Sequence, residues 1–139
     1  MSKLHLKVVS QEKKILERNV DSVTVPTHDG LITILPKHIG LFSKVTTGEL
    51  VYRSKEKELS AVVTDGFVNV TPEGQVIVMV DSAVLARDIS LYKAREAMEA
   101  AKKTMAASED KREQILAEAS LKKAMWEMRI AKKSKKQEI

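Results

Sequence analysis

The sequence predicts an α+β protein in which an N-terminal antiparallel β-sandwich, residues 1–86, is followed by a C-terminal antiparallel two-helix hairpin, residues 87–139. All five glycines and all three prolines lie between Pro26 and Gly74, and neither residue type occurs afterwards. Alanine has the opposite distribution, with a single alanine before residue 83 and steady recurrence from there on. Valine, threonine, glycine and proline suit short strands and turns, whereas alanine, lysine, glutamate and methionine suit helices. The composition therefore divides the chain into two modules.

Short apolar segments bounded by turn residues predict the strands of the first module. Leu4, Leu6 and Val8 alternate with other residues in the pattern of a half-buried strand, and the Asp29-Gly30 pair predicts a tight turn. Strands are expected at residues 4–9, 13–18, 23–25, 31–35, 42–45, 50–53, 59–63, 67–70 and 76–80. Many short strands at this spacing are typical of an antiparallel sandwich or flattened barrel, and they do not resemble βαβ units.

Apolar residues at steps of three and four predict two helices of about 20 residues each. The predicted seams are Leu91, Ala94, Met98, Ala101 and Met105 on the first helix, and Ala117, Leu121, Ala124, Met128 and Ala131 on the second. Asp88 or Ser90 is expected to cap the first helix, and Asp110 with Glu113 has capping-box spacing at the second. Because alanine buries little apolar surface, we expect the contact between the helices to separate readily.

The net charge of +5 lies entirely on the helical module, since residues 1–86 carry ten basic and ten acidic side chains. The excess is densest at the end of the second helix, where it indicates either a solvated helix end or an acidic partner. Nucleic acid is a weaker form of the second alternative, because the basic residues are not interleaved with stacking aromatic residues.

The chain carries no motif of a self-sufficient enzyme. It has no cysteine, and His5, His28 and His38 lack the spacing of metal ligands. No P-loop, dinucleotide fingerprint or nucleophile elbow occurs. The longest apolar run, residues 76–80, is too short to span a bilayer, and the N-terminus has no secretory pattern. We therefore expect a soluble intracellular protein that has no catalytic residues, no metal and no cofactor of its own.

Three stretches resemble the epsilon subunit of F-type ATP synthase. Residues 23–41, V-T-V-P-T-H-D-G-L-I-T-I-L-P-K-H-I-G-L, are similar to its V-x-x-P-x-x-x-G-x-x-x-I-L-P-x-H-x-x-L signature. Residues 65–70 and 76–83 resemble its G-G-F-x-x-V and V-x-V-L-A-D-x-A stretches, and residues 124–131 resemble the end of its second helix. The resemblance runs in the family's order from about residue 4 to residue 131.

The resemblance implies a subunit of the central stalk, on the cytoplasmic face of the bacterial plasma membrane and held there only through the complex. In the family, the sandwich binds the gamma subunit and the loops of the c-ring, so that it turns with the rotor. The hairpin can extend along gamma towards the catalytic alpha/beta ring and obstruct ATP hydrolysis. The resemblance therefore implies a coupling and regulatory subunit that does not bind nucleic acid.

The resemblance also indicates which residues bind these partners. The expected c-ring and gamma contacts are His28, Asp29, Gly30, Leu31, His38 and Leu41. The expected contacts to gamma and to an acidic catalytic-subunit surface are Lys122, Lys123, Met125, Trp126, Arg129, Lys132 and Lys133. An acidic residue that the family often places at the ring interface is absent here, which indicates a more apolar contact.

Some members of the family bind ATP through an I-D-x-x-R-A motif at the start of the first helix. The corresponding residues here are Ile89, Ser90, Lys93 and Ala94. Serine replaces the carboxylate and lysine replaces the planar guanidinium, so ATP binding is a weak prediction. Two other functions stay open, a ligand-sensing module and a β-sandwich adaptor whose basic helices bind nucleic acid or an anionic membrane surface.

Overall fold

The computed structural model describes residues 3–38 and 40–137. The strands are β1 (Leu4–Val9), β2 (Lys14–Val20), β3 (Ser22–Thr27), β4 (Gly30–Ile34), β5 (Leu41–Val45), β6 (Gly48–Ser54), β7 (Lys57–Val63), β8 (Gly66–Val70), β9 (Gln75–Val80) and β10 (Ala83–Leu85). A 3-10 turn, Ala86–Asp88, precedes α1 (Leu91–Ala107) and α2 (Lys111–Gln137). The chain divides into two compact units, Met1–Leu85 and Ala86–Ile139.

The ten strands form one continuous hydrogen-bonded sheet, in the order β10-β7-β6-β3-β5-β8-β9-β1-β2, with β4 paired to β3 beside this path. The predicted class, a sandwich followed by two helices, is confirmed. One strand pair differs from the all-antiparallel prediction, because β1 runs parallel to β9. The first strand enters the sheet between β9 and β2, and the His5 N–H bonds the Gly74 carbonyl at 2.8 Å. Periodicity reveals a strand but not the direction of its neighbour.

The sandwich core consists of the inward-facing residues of the strands. In β1, Leu4, Leu6 and Val8 are buried while the residues between them are half-buried. The rest of the core is Val20, Val23, Val25, Ile34, Val45, Leu50, Tyr52, Val63, Val68, Val70, Val76, Val78, Val80 and Ala83. Branched apolar side chains dominate this core, and each buried one contributes about 1.5–3 kcal/mol.

Gly66 begins β8 at a point where this strand and β9 approach closely. It pairs with Val80, and a Cβ atom at position 66 would lie 2.0 Å from the Met79 carbonyl oxygen. That distance is far below a van der Waals contact, so the strands would have to separate to accept any side chain. The glycine is therefore required by the approach of the two backbones.

A polar ladder crosses the outer face of β1 and β2. His5 Nε2 lies 2.8 Å from Glu17 Oε2, and His5 Nδ1 lies 3.0 Å from Asn19 Oδ1. Because both ring nitrogens face oxygen acceptors, the ladder favours the imidazolium form. Hydrogen bonds to Asn19 and Glu17 raise the pKa of His5. Hydrogen bonds from Lys14, at 2.7 Å, and from His5 lower the pKa of Glu17 to about 2.

The two helices pack along the predicted seam, which is small. Its buried members are Ala94, Ala101, Ala117, Ala124 and Ala131, with Leu91, Met98, Leu121 and Met128 half-buried. Met105, expected in the seam, is exposed because it lies in the last turn of α1. The helices are also unequal, at 17 and 27 residues, and α2 therefore continues beyond the length of α1.

The turn between the helices differs from the predicted capping box. Asp110 Oδ1 accepts the Arg112 N–H at 2.9 Å, as expected for a cap. Glu113, however, accepts from the Ser108 hydroxyl at 2.6 Å, and that hydroxyl also accepts the Asp110 N–H at 3.2 Å. Gln114 Nε2 donates to the Ser108 carbonyl at 2.7 Å. Ser108 is therefore the centre of the turn, because its hydroxyl bonds both the Asp110 N–H and the Glu113 carboxylate.

Candidate docking surfaces

The β3–β4 hairpin presents a rigid tip that contains four of the predicted partner residues. The buried Thr27 hydroxyl donates to the Gly30 carbonyl at 2.6 Å and accepts the Asp29 N–H at 3.3 Å. Gly30 has a φ of 110°, which its lack of a side chain permits. His28, Asp29 and Leu31 are exposed, and 73% of the surface of Leu31 is accessible. The tip is thus a preorganised surface with an apolar side chain at its edge.

The segment after β4 contains the other two predicted sandwich contacts, His38 and Leu41, which have different surroundings. The half-buried His38 follows a turn in which its N–H bonds the Leu35 carbonyl at 3.1 Å. Leu41 is also half-buried, but it packs against the sandwich core. Leu35 is exposed and was not predicted. Ile39, within the family signature, lies outside the described residues.

Phe42, Phe67 and Met79 form a second exposed surface on the sandwich, which we call the aromatic surface. Phe67 pairs with Met79 across β8 and β9, and with Lys44 across β8 and β5. Phe42, two residues from Lys44, stacks on Phe67 with ring centroids 5.4 Å apart and planes inclined by 20°. All three side chains are exposed, Phe42 at 64%. Stacked aromatic rings facing solvent are typical of a protein interface.

The alternation of residues within the strands indicates the aromatic surface, although no motif contains it. In β5, Phe42 alternates with Ser43 and precedes the buried Val45 by three positions, which places it on the opposite face. In β8, Phe67 likewise alternates with the buried Val68. Strand parity therefore assigns both rings to the solvent face. Their mutual contact depends on the register of β5 and β8, which the sequence does not reveal.

The predicted contacts on α2 surround its single tryptophan. The Arg129 guanidinium lies 4.8 Å from the centroid of the Trp126 ring, in a cation–π arrangement. Trp126 is half-buried, whereas Met125 is exposed at 54%. Exposed cationic side chains lie nearby in the sequence at Lys122, Lys132 and Lys133. This part of α2 therefore offers apolar and cationic groups together.

The Lys123 ammonium lies 3.9 Å from the carboxylate of Glu127, one turn later. Burial raises the pKa of Glu127, and the charge of Lys123 opposes this rise. The Glu127 carboxylate therefore reduces the positive charge that Lys123 offers to a partner.

The start of α1 uses its polar groups within the helix itself. The Ser90 hydroxyl accepts the Lys93 N–H at 3.2 Å and is the N-cap of α1, so the alternative cap Asp88 is wrong. Ala94 is buried, Ile89 is half-buried and Lys93 is exposed. Of the four residues considered for ATP, Lys93 alone presents a charged group to solvent.

Within the described residues, no three His, Cys, Asp or Glu side chains are grouped so that they could hold a metal ion. No helix among them is long and apolar enough to cross a membrane.

Residues 3–86 match the family model described as ATP synthase, Delta/Epsilon chain, beta-sandwich domain. An ATP synthase epsilon chain of Dehalococcoides mccartyi is 38% identical, over 98% of this chain and 97% of that protein. The chain belongs to the ATP synthase epsilon chains. An epsilon chain of Syntrophobacter fumaroxidans is 33% identical over 95% and 98% of the two lengths. The resemblance found in the sequence is thereby confirmed, and the chain is a subunit of an F-type ATP synthase.

Solved structures agree with this assignment. A chain in the mitochondrial ATP synthase of Euglena gracilis, solved as OSCP, F1 and c-ring, superposes with a TM-score of 0.74 at 25% identity. The match covers 88% of this chain and 77% of that one. A chain of the Tetrahymena thermophila central stalk and c-ring gives a TM-score of 0.53 at 17% identity, covering 63% and 69% of the two chains, which shows a shared fold.

Proposed function

We propose that this epsilon chain is a non-catalytic rotor subunit, whose sandwich couples the c-ring to the gamma subunit and whose hairpin restrains ATP hydrolysis. The stacked pair of exposed rings at Phe42 and Phe67, on the module that matches the family, supports this proposal most directly. An aromatic surface of this kind is costly to leave in water and is stabilised by a partner.

The two docking surfaces suit different partners. The aromatic surface offers three large apolar side chains beside Lys44, as a protein interface core requires, and we assign it to gamma. The β3–β4 tip is narrow and rigid, which suits the short loops of a c-ring, and its exposed His28 and Asp29 would make that contact. Through this contact the chain would lie peripherally on the cytoplasmic face of a bacterial membrane.

Ion pairs alone do not supply the binding free energy that docking of α2 on a partner protein requires. Exposed ion pairs contribute at most about 1 kcal/mol each, whereas inverting an equilibrium from 1:99 to 99:1 takes about 5.5 kcal/mol. The exposed Met125 and the ring of Trp126 would supply apolar contact in addition. This combination favours a protein surface that is both acidic and apolar over nucleic acid, which presents a uniform phosphate charge.

The sandwich assignment is tested by replacing one ring of the stacked pair. Phe67→Ser should weaken binding of the full-length chain to purified gamma by about thirtyfold, because interface aromatics typically contribute 2 kcal/mol or more. Tyr92→Ser is the matched control, since Tyr92 is also an exposed aromatic but lies on α1. Equal affinities of the two variants, measured by calorimetry, would remove gamma from this surface.

The regulatory assignment is tested by truncation after Ala86. The shortened subunit retains every strand, so it should still assemble with the ATP synthase. Without the hairpin, ATP hydrolysis by the complex should rise about fivefold or more, because an obstruction worth 1 kcal/mol has been removed. If the truncated complex hydrolyses ATP no faster than the intact one, at low and at high salt, the hairpin does not inhibit.

A further inference from the structure

One hydrogen-bonding edge of β4 is unpaired. The Pro26 carbonyl accepts the Thr46 N–H, and the His28 N–H donates to the Lys44 carbonyl, both on the side of β5. The N–H and C=O groups of Thr27 therefore point the other way, towards Gly30 on β4. Pairing in an antiparallel ladder alternates from that point. The N–H and C=O groups of Leu31 and Thr33 therefore point away from β3. Over residues 3–38 and 40–137, no strand pairs with this edge.

The edge of β4 also lacks the features that usually protect an edge strand. Residues 30–36 contain no charged side chain. By contrast, β2, at one end of the sheet, carries Lys14, Glu17 and Arg18, and β10, at the other end, has three residues. Charge and short length are the means by which proteins prevent unwanted strand pairing. The uncharged edge of β4 is therefore suited to pairing with another strand.

We propose that the free edge of β4 accepts an extended, uncharged segment of the gamma subunit by strand addition, through the backbone groups of Leu31 and Thr33. This inference rests on the proposed function, because it specifies how the sandwich engages gamma. Strand addition places backbone hydrogen bonds along the edge and side-chain contacts on either face.

The chemistry of the edge determines what can occupy it. Two N–H and two C=O groups in strand spacing match an extended backbone, whereas a helix has already bonded its own groups. The exposed Leu31 and Leu35 share the outer face of β4 and would flank the added strand. Between them, the Thr33 hydroxyl lies 3.0 Å from that of Thr24, which fixes its side chain. A charged segment would lose hydration here without gaining a counter-charge.

Residue-resolved hydrogen exchange measures the protection of the β4 amides in the full-length chain, alone and with purified gamma. The Leu31 and Thr33 amides should exchange rapidly in the free chain and at least about tenfold more slowly in the complex. The Ile32 and Ile34 amides, which already face β3, should be slow in both samples. This alternation distinguishes strand addition from general burial.

Other results of the exchange experiment lead to different conclusions. A complex that forms without protecting Leu31 and Thr33 overturns strand addition and leaves the proposed function standing. Failure of any complex to form contradicts the proposed function instead. Protection without gamma, together with a dimer mass, assigns the edge to a second copy of the chain and overturns the proposal. Protection by isolated c-ring but not by gamma does the same.

A pair of variants at one position provides an independent readout. Thr33→Pro removes the N–H that points off the sheet and leaves the bonds to β3, whereas Thr33→Ala keeps that N–H. Thr33→Pro should bind gamma about tenfold more weakly, and Thr33→Ala within about twofold of the unaltered chain. Circular dichroism checks folding, and if Thr33→Pro does not fold, the exchange pattern decides. Equal affinities of two folded variants would overturn the proposal.

Discussion

The sandwich and the hairpin bury their apolar residues by different means. The sandwich closes around leucine, isoleucine and valine side chains that are almost inaccessible to water. In the hairpin the buried residues are five alanines and Ile130, and an open groove remains between its helices, lined by Ala97, Ala100, Ala101, Thr104, Glu113, Leu116, Ala117 and Ser120. A Leu-to-Ala difference in buried side chains is worth several kcal/mol at each position. One chain therefore combines a body with large apolar contacts and a pair of helices with small ones.

This difference separates the two roles that we propose. A docking body must keep its surface residues in register, and the sandwich does so through a dense core under the β3–β4 tip and the aromatic surface. A regulatory element must change partners at modest free-energy cost, and a small seam makes this possible. Stability measurements on each module test this distinction.

The largest effect is expected in the sandwich core. Leu50→Ala removes a fully buried side chain and should lower the free energy of unfolding of the sandwich by about 2–5 kcal/mol. Ala101→Gly in the hairpin seam should lower helix stability by only about 1 kcal/mol. Urea unfolding followed by β-sheet circular dichroism measures the first effect, and the fluorescence of Trp126, the single tryptophan, reports the second.

Leu31→Ala is the matched control for the core variant, because its leucine is exposed and should contribute less than about 0.5 kcal/mol. Equal destabilisation of the two modules by Leu50→Ala and Ala101→Gly would contradict the difference in their packing.

A smaller effect is expected at the turn between the helices. Ser108→Ala removes the bonds to Glu113 and to the Asp110 N–H, and should lower the local stability of the hairpin by about 1 kcal/mol. Hydrogen exchange of the last turn of α1 should accelerate about fivefold. Glu109→Ala, in the same turn and exposed, should leave the exchange rates unchanged. Equal acceleration in both variants would mean that the serine does not hold the turn.

The smallest expected effect is on the pH dependence of local stability, which should have opposite signs in the two modules. Glu17 has a lowered pKa of about 2, so its contribution to the sandwich is present at neutral pH and is lost as the pH falls towards 2. Glu127 has a raised pKa, so folding favours its protonated form and acidification stabilises the hairpin. From about pH 6 to about pH 3, local stability should therefore fall around Glu17 and rise around Glu127.

Hydrogen exchange of each module against pH measures these trends, and Glu17→Gln and Glu127→Gln should flatten the respective profile. At the other end of the range, His5 has a raised pKa, so its contribution is present at acidic pH and should be lost as the pH rises through that raised pKa. A common sign of the acid response in both modules would contradict the opposite causes of the two carboxylate shifts.

The sequence predicted the strands and helices well where periodicity and turn residues are informative. Asp29-Gly30 placed the β3–β4 turn, and the five alanines of the predicted seam are buried, whereas the buried Ile130 of α2 was not predicted. Features that depend on partners distant in the chain were not accessible. The parallel pairing of β1 with β9 and the stack of Phe42 on Phe67 both require knowledge of strand order. Leu41, which the motif predicts at a partner surface, is half-buried and packs against the core, and a motif does not record burial.

The absence of a Cβ atom at position 66 affects the aromatic surface. Gly66 immediately precedes Phe67, and it leaves room for the Met79 carbonyl. Two of the three side chains of the aromatic surface, Phe67 and Met79, therefore belong to residues at this close backbone contact. Any larger residue would push the strands apart and tilt the ring away from its thioether neighbour. Gly66 therefore preserves the arrangement of Phe67 and Met79 on the aromatic surface, because it is the residue type that has no side chain.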